Sequence, residues 1–234
     1  DYDGNGKISF EEAHAYAILT SRNIDIPVKT SGAFLRVHSR LHSEKEEEEG
    51  LLGLETPYSV ILERAGKVDR AVLEGLSRRL NLKGENRGTQ ARDGVSALAK
   101  KIRPVEEENK AHNKKFDSAR GVLSRDLRNR WPDLENRYSP GAVRLLSKEK
   151  RQSQFVSAVE EHPRFEEWSK LRAERSKLSD RDLQLSKEYA SWRRFLRAFE
   201  NVAYAANLPI ICGEDVVGTY MWILAAEQEG FSGN

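Results

Sequence analysis

Two long stretches of this chain carry apolar residues at alternating steps of three and four, and that period leaves few ways to fold. In the first, Val95, Leu98, Ile102, Val105, Phe116 and Ala119 line up with the polar Asn109 and His112, and Leu123 and Leu127 extend the row. In the second, Leu171, Leu178, Leu185, Trp192, Phe199 and Ala206 recur every seven residues, with Trp168, Arg175, Asp182, Tyr189, Leu196 and Ala203 as companions. A heptad row gives a helix one continuous apolar seam, which must bury against another helix. Trp131-Pro132, Ser139-Pro140-Gly141 and His162-Pro163 lie between the rows and supply the turns to reverse direction. The expected class is therefore all-α, an elongated helical hairpin or bundle with coiled-coil-like long helices, preceded by shorter ones. Pro104 removes a helix hydrogen bond, so a kink or break is expected near Ile102–Arg103. The polar residues within the seams are expected to fix register. A titrating His112 is the sharper alternative.

Composition agrees with that class and excludes several functions. Charged residues make up 32% of the chain and hydrophobic ones 38%, which suits long helices with charged outer faces. The net charge of +2 gives no global field for nucleic acid. Arg125, Arg128 and Arg130, with Arg144, Lys148, Lys150 and Arg151, read as solubilising faces, and a nucleic-acid-binding arm is the weakest alternative. A single cysteine, Cys212, excludes an internal disulfide. Its apolar neighbours raise a thiol pKa, so it reads as a packed structural residue and not a nucleophile. No stretch reaches the roughly 18 apolar residues of a membrane span, and no membrane partner is expected. Val216–Ala226 is the most apolar stretch and reads as a buried helix. No phosphate-binding loop, dinucleotide fingerprint or nucleophile elbow occurs. Thus no catalytic constellation is expected within the chain. These features do not fix a compartment, and the cytoplasm is the favoured expectation.

Three segments are expected. Residues 1–43 hold an acidic loop and its following helices, including one over Thr30–Leu41. Residues 44–55 form an acidic linker, because the run Glu44–Gly50 repels itself. Residues 56–234 hold the helical bundle, with an amphipathic helix over Lys67–Leu82 marked by Val68, Val72, Leu76 and Leu80. His38 and His42 are four apart and would share a helix face, but no convincing third zinc ligand accompanies them.

The strongest chemical signal is Asp1-Tyr-Asp-Gly-Asn-Gly-Lys-Ile-Ser-Phe-Glu-Glu12. It meets the calcium-loop pattern D-x-[DN]-x-[DN]-G-x5-E without substitution. Calcium takes six to eight hard oxygens at about 2.3–2.6 Å. Asp1, Asp3 and Asn5 offer side-chain oxygens from alternate positions, and Gly6 permits the bend. Lys7 offers its carbonyl, Ser9 can hold a bridging water, and Glu12 closes the shell with both oxygens. The expected metal site is thus Asp1, Asp3, Asn5, Lys7 and Glu12, with Ca²⁺ as the cofactor.

This segment resembles EF-hand and dockerin-like calcium loops over about a tenth of the chain. An EF-hand is helix, loop, helix, and here the loop begins at residue 1, so the chain reads as part of something longer. The continuation Ile8-Ser-Phe-Glu-Glu-Ala-His-Ala-Tyr-Ala17 also resembles the end of caspase-like (clan CD) peptidase domains of bacteria. There an acidic D-x-D-G-x-G loop precedes a helix reading roughly S-x-x-E-A-x-x-Y-A. That resemblance implies a chain downstream of the catalytic His and Cys, with no position here inheriting them. Two functional expectations follow. The first is a calcium-binding regulatory or protein-interaction module, whose partner is another protein or the upstream domain. The alternative is a non-catalytic polypeptide of a cut caspase-like cysteine protease, needed for its activity or targeting.

Overall fold

The computed structural model describes residues 1–42, 50–136 and 138–229. Among these, the helices are α1 (Phe10–Thr20), α2 (Thr30–His38), α3 (Tyr58–Arg64), α4 (Lys67–Leu80), α5 (Arg87–Arg130), α6 (Pro140–Ser147), α7 (Glu149–Glu160), α8 (Phe165–Ile211) and α9 (Glu214–Gln228). A 3-10 turn over Pro132–Glu135 precedes α6, and the described residues contain no β-sheet. The fold is all-α. Helix α5 continues through Pro104 without a break in helical assignment. The expected acidic run Glu44–Gly50 falls, except for Gly50, outside the described residues.

The chain divides into two compact units, one of residues 1–100 and 185–234, the other of residues 101–184. The first unit has a many-sided core. Val68, Val72, Leu73 and Leu76 give α4 a buried face, as their spacing of three and four predicts. They pack with Ala15 and Ile18 of α1, Tyr58 and Ile61 of α3, and Phe195, Leu196, Phe199, Val202 and Ala203 of α8. This core joins residues on both sides of the expected linker at 44–55, so the linker does not separate two cores. In this unit α5 and α8 run antiparallel at close range. A Cβ on Gly88 would stand 2.8 Å from Phe199 Cζ, and one on Gly94 would collide with the Trp192 indole. The facing indole occupies that space at Gly94, and at Gly88 the Leu54 carbonyl stands nearer still than the Phe199 ring.

Two buried polar residues of α8 hold the connections of this unit. Arg194 is 1% exposed and donates to the carbonyls of Ser21, Asn23 and Asp25. One guanidinium therefore satisfies the backbone of the α1–α2 connection, which has no helix or sheet partner of its own. Asn207 is fully buried, donates to the carbonyls of Arg40 and Leu52, and accepts from the Leu52 amide. It bridges the two ends of the stretch between α2 and α3.

The second unit is built differently. Val105, Phe116, Ala119 and Leu123 of α5 are buried. Phe116 stacks on Trp168 of α8 with centroids 6.5 Å apart, and Arg175 lies over the Phe116 ring at 4.7 Å. His112 Nε2 meets Glu174 at 3.2 Å, and Arg181 approaches Glu108 at 3.9 Å. Numbers fall along α8 as they rise along α5, so the helices are antiparallel here too. Ser139 caps α6 through the Ala142 amide at 3.0 Å, with Pro140 opening the helix. Ala142 and Leu145 of α6 and Ala158 of α7 are buried, and Trp131 meets Phe155 edge-on.

Several local expectations are corrected. Helix α9 forms over the apolar stretch 216–226 but buries no residue, and Trp222 is 73% exposed. Its apolar residues cover a surface instead of filling a core. Helix α2 stops at His38, with Ser39 extended, so His42 does not share a helical face with His38. Cys212 is half-buried at the end of α8, where its thiol donates to the His38 carbonyl.

Candidate metal centre

The acidic loop is organised by its own side chains before any ion is considered. Asp1 Oδ1 accepts from the Gly4 amide at 2.7 Å, and Oδ2 from the Gly6 amide at 2.8 Å. Asp3 Oδ1 accepts from the Asn5 amide, and Asn5 Oδ1 from the Lys7 amide, at 2.9 and 2.8 Å. Gly4 and Gly6 have φ of 79° and 78°, left-handed values that a side chain would strain. The motif's glycine at position 6 is thus required by the bend, as the sequence implies.

Glu12 ties the loop to α1. Ser9 caps the helix through the Glu12 amide, and Glu12 Oε2 returns to the Ser9 amide at 3.1 Å, a complete capping box. Glu12 Oε1 accepts from the amides of Tyr2 and Asp3. Amides from Ser9 and Tyr2 hold the Glu12 carboxyl below its ordinary pKa, since each favours the charged form. The side chain is 1% exposed, and the amides of Tyr2, Asp3 and Ser9 offset the burial of its charge. From α4, Lys67 donates to the Asp3 carbonyl at 3.0 Å and fixes the loop against the first unit.

Carboxylate oxygens of Asp1, Asp3 and Glu12 lie within 4.8 Å of one another. These are three of the five expected ligands. Asn5 stands beside them, with its Nδ2 donating to Asp3 Oδ2 at 2.7 Å. Lys7 contributes its amide to Asn5, and its side chain is exposed. The set fits a hard cation: all the converging atoms are oxygens, and each carboxylate has about four acceptor positions, more than the amides take.

Sequence reasoning missed a second cluster in the same unit. Lys29 Nζ lies 2.6 Å from Glu11, 3.8 Å from Asp69 and 3.8 Å from Glu227, which join α1, α4 and α9. Glu227 also accepts from the Ser31 amide and hydroxyl at 2.8 and 2.6 Å. Burial disfavours the Lys29 ammonium, but Asp69 and Glu11 more than offset it and its pKa stands above the ordinary value. Burial, with Asp69, Glu11 and Glu227 nearby, raises the Tyr220 phenol. No motif encodes this cluster, because its members are up to 216 positions apart in sequence. Only the charge of single residues on apolar helices hinted at it.

Compared with protein-family models, characterised proteins and solved structures, the chain matches none. Among the described residues, no helix is long and apolar enough to cross a membrane.

Proposed function

We propose that this chain is a calcium-binding helical module that regulates or recruits another protein. The reading rests on one observation above all: Asp1, Asp3 and Glu12 bring their carboxylate oxygens together at the start of α1. Asn5 and the Lys7 carbonyl complete the proposed donor set. A bound Ca²⁺ would supply a positive centre that offsets the repulsion of the three carboxylates. The protein's own residues do the rest. Ser9 and Glu12 lock the start of α1, and Lys67 holds the loop to α4. Helix α1 carries Ala15 and Ile18 into the core, so order in the loop is connected to packing in the first unit.

Calorimetric titration of the whole chain with calcium tests the reading. One site is expected, abolished by Glu12→Gln, with magnesium competing weakly because it prefers a smaller octahedral shell. Absence of heat at millimolar calcium would overturn it. Glu12→Gln keeps one carbonyl acceptor for the cap, and circular dichroism would confirm that α1 persists.

A further inference from the structure

A cavity of about 400 Å³ opens between α1, the segment leading into α2, and α9. That size falls within the range of about 300–1,000 Å³ typical of small-ligand sites. Its walls are apolar: Phe10, Val28, Trp222 and Ile223 line it, and the first three are 52%, 53% and 73% exposed. Its floor is polar. Glu11 and Glu227 lie there with side chains 11% and 12% exposed, on either side of Lys29.

The floor holds more acceptors than donors. Two lining carboxylates, Glu11 and Glu227, share the Lys29 ammonium, which Asp69 also approaches from outside the cavity lining. His14 lines the same cavity, and its Nε2 is buried with no hydrogen-bond partner among the described residues. Tyr220 of α9 and Asp69 of α4 belong to the same charged neighbourhood, and burial raises the Asp69 carboxyl against the pull of Lys29. Two carboxylates against one ammonium leave excess negative charge in a half-apolar cleft, which a second cation offsets.

We infer that this cavity binds an ammonium group carried on an apolar stem, with Glu11 and Glu227 receiving the charge and Phe10, Val28 and Trp222 covering the stem. The exposed Trp222 indole adds an aromatic face, which attracts cations. Two sources share this chemistry, a free alkylamine and the lysine side chain of a protein. The inference does not depend on calcium binding at the loop.

The test is a two-dimensional NMR titration of the whole chain with n-pentylammonium, which reproduces a lysine from its Cα carbon to the ammonium. Saturable shifts are expected at Thr30, Ala226 and the Trp222 indole, with a dissociation constant on the order of millimolar. Neutral 1-pentanol should give at least fivefold weaker binding. Glu227→Gln and Trp222→Ala should each weaken the amine at least fivefold, and Trp222→Ala removes a surface residue with little risk to folding. A capped Ala-Lys-Ala peptide separates the sources: binding at least as tight as the amine assigns a protein lysine, and failure to bind assigns a free amine. The inference is overturned if n-pentylammonium gives no saturable shift at these residues. It is equally overturned if 1-pentanol binds as well as the amine.

Discussion

Helices α5 and α8 pass through both compact units, yet they are held by different means in each. In the unit of residues 1–100 and 185–234, their partners include α1, α3 and α4, and Phe195, Phe199 and Ala203 are fully buried. Polar side chains there are interior fixtures: Arg194 and Asn207 donate to the backbone of the connections between helices. In the unit of residues 101–184, Phe116 meets Trp168 beside exposed charges, and polar residues pair at the margin, as His112 does with Glu174. The same heptad period therefore yields a fully enclosed seam in one place and a half-covered one in the other. What surrounds the seam decides its energetic weight.

Substitutions should expose that difference, beginning in the first unit. Arg194→Leu would remove a buried guanidinium's bonds to the carbonyls of Ser21, Asn23 and Asp25, and a hydrogen bond made by a charged group contributes about 1.5–3 kcal/mol. A loss of roughly 3–5 kcal/mol in chemical denaturation is expected, and a loss under about 1 kcal/mol would show that water replaces the guanidinium freely. Phe199→Ala should cost about 3–5 kcal/mol, as for a large side chain removed from an enclosed core. In the second unit, Phe116→Ala should fall below that range, at roughly 2–3 kcal/mol, because buried Phe116 packs on the partly exposed Trp168, which can close over the space left. Equal costs for the two phenylalanines would remove the distinction between the units. The smallest effect is expected for His112→Ala. Its Glu174 partner is 46% exposed, so a change within about 1 kcal/mol is anticipated.

The all-α class and the antiparallel relation of α5 and α8 were legible because the seam residues repeat. Leu98, Val105, Phe116, Leu123, Leu196 and Phe199 are all buried, as their period implies. The amphipathic helix expected over Lys67–Leu82 forms as α4. Helix α9 defeated the reading, because hydropathy counts apolar atoms and cannot tell a core from a surface patch. The division into units was hidden as well. Residues 1–42 and 185–211 share a core across long sequence separations, and no local pattern announces such pairings. Arg194 was illegible for the same reason: an arginine among aromatic residues gives no sign that its partners are carbonyls some 170 positions away. The acidic loop is the opposite case. All its expected ligands sit within twelve residues, so spacing alone named Asp1, Asp3 and Glu12 before their oxygens were seen to converge.

Hydrogen–deuterium exchange with and without calcium tests the central claim most directly, since it locates the effect while detecting it. If the loop is a calcium site braced against the first unit, added calcium should slow exchange across residues 1–20. Glu12→Gln should abolish that change, and residues 101–184 should exchange as before. Unchanged exchange at residues 1–20 in millimolar calcium, or protection confined to residues 101–184, would contradict the account.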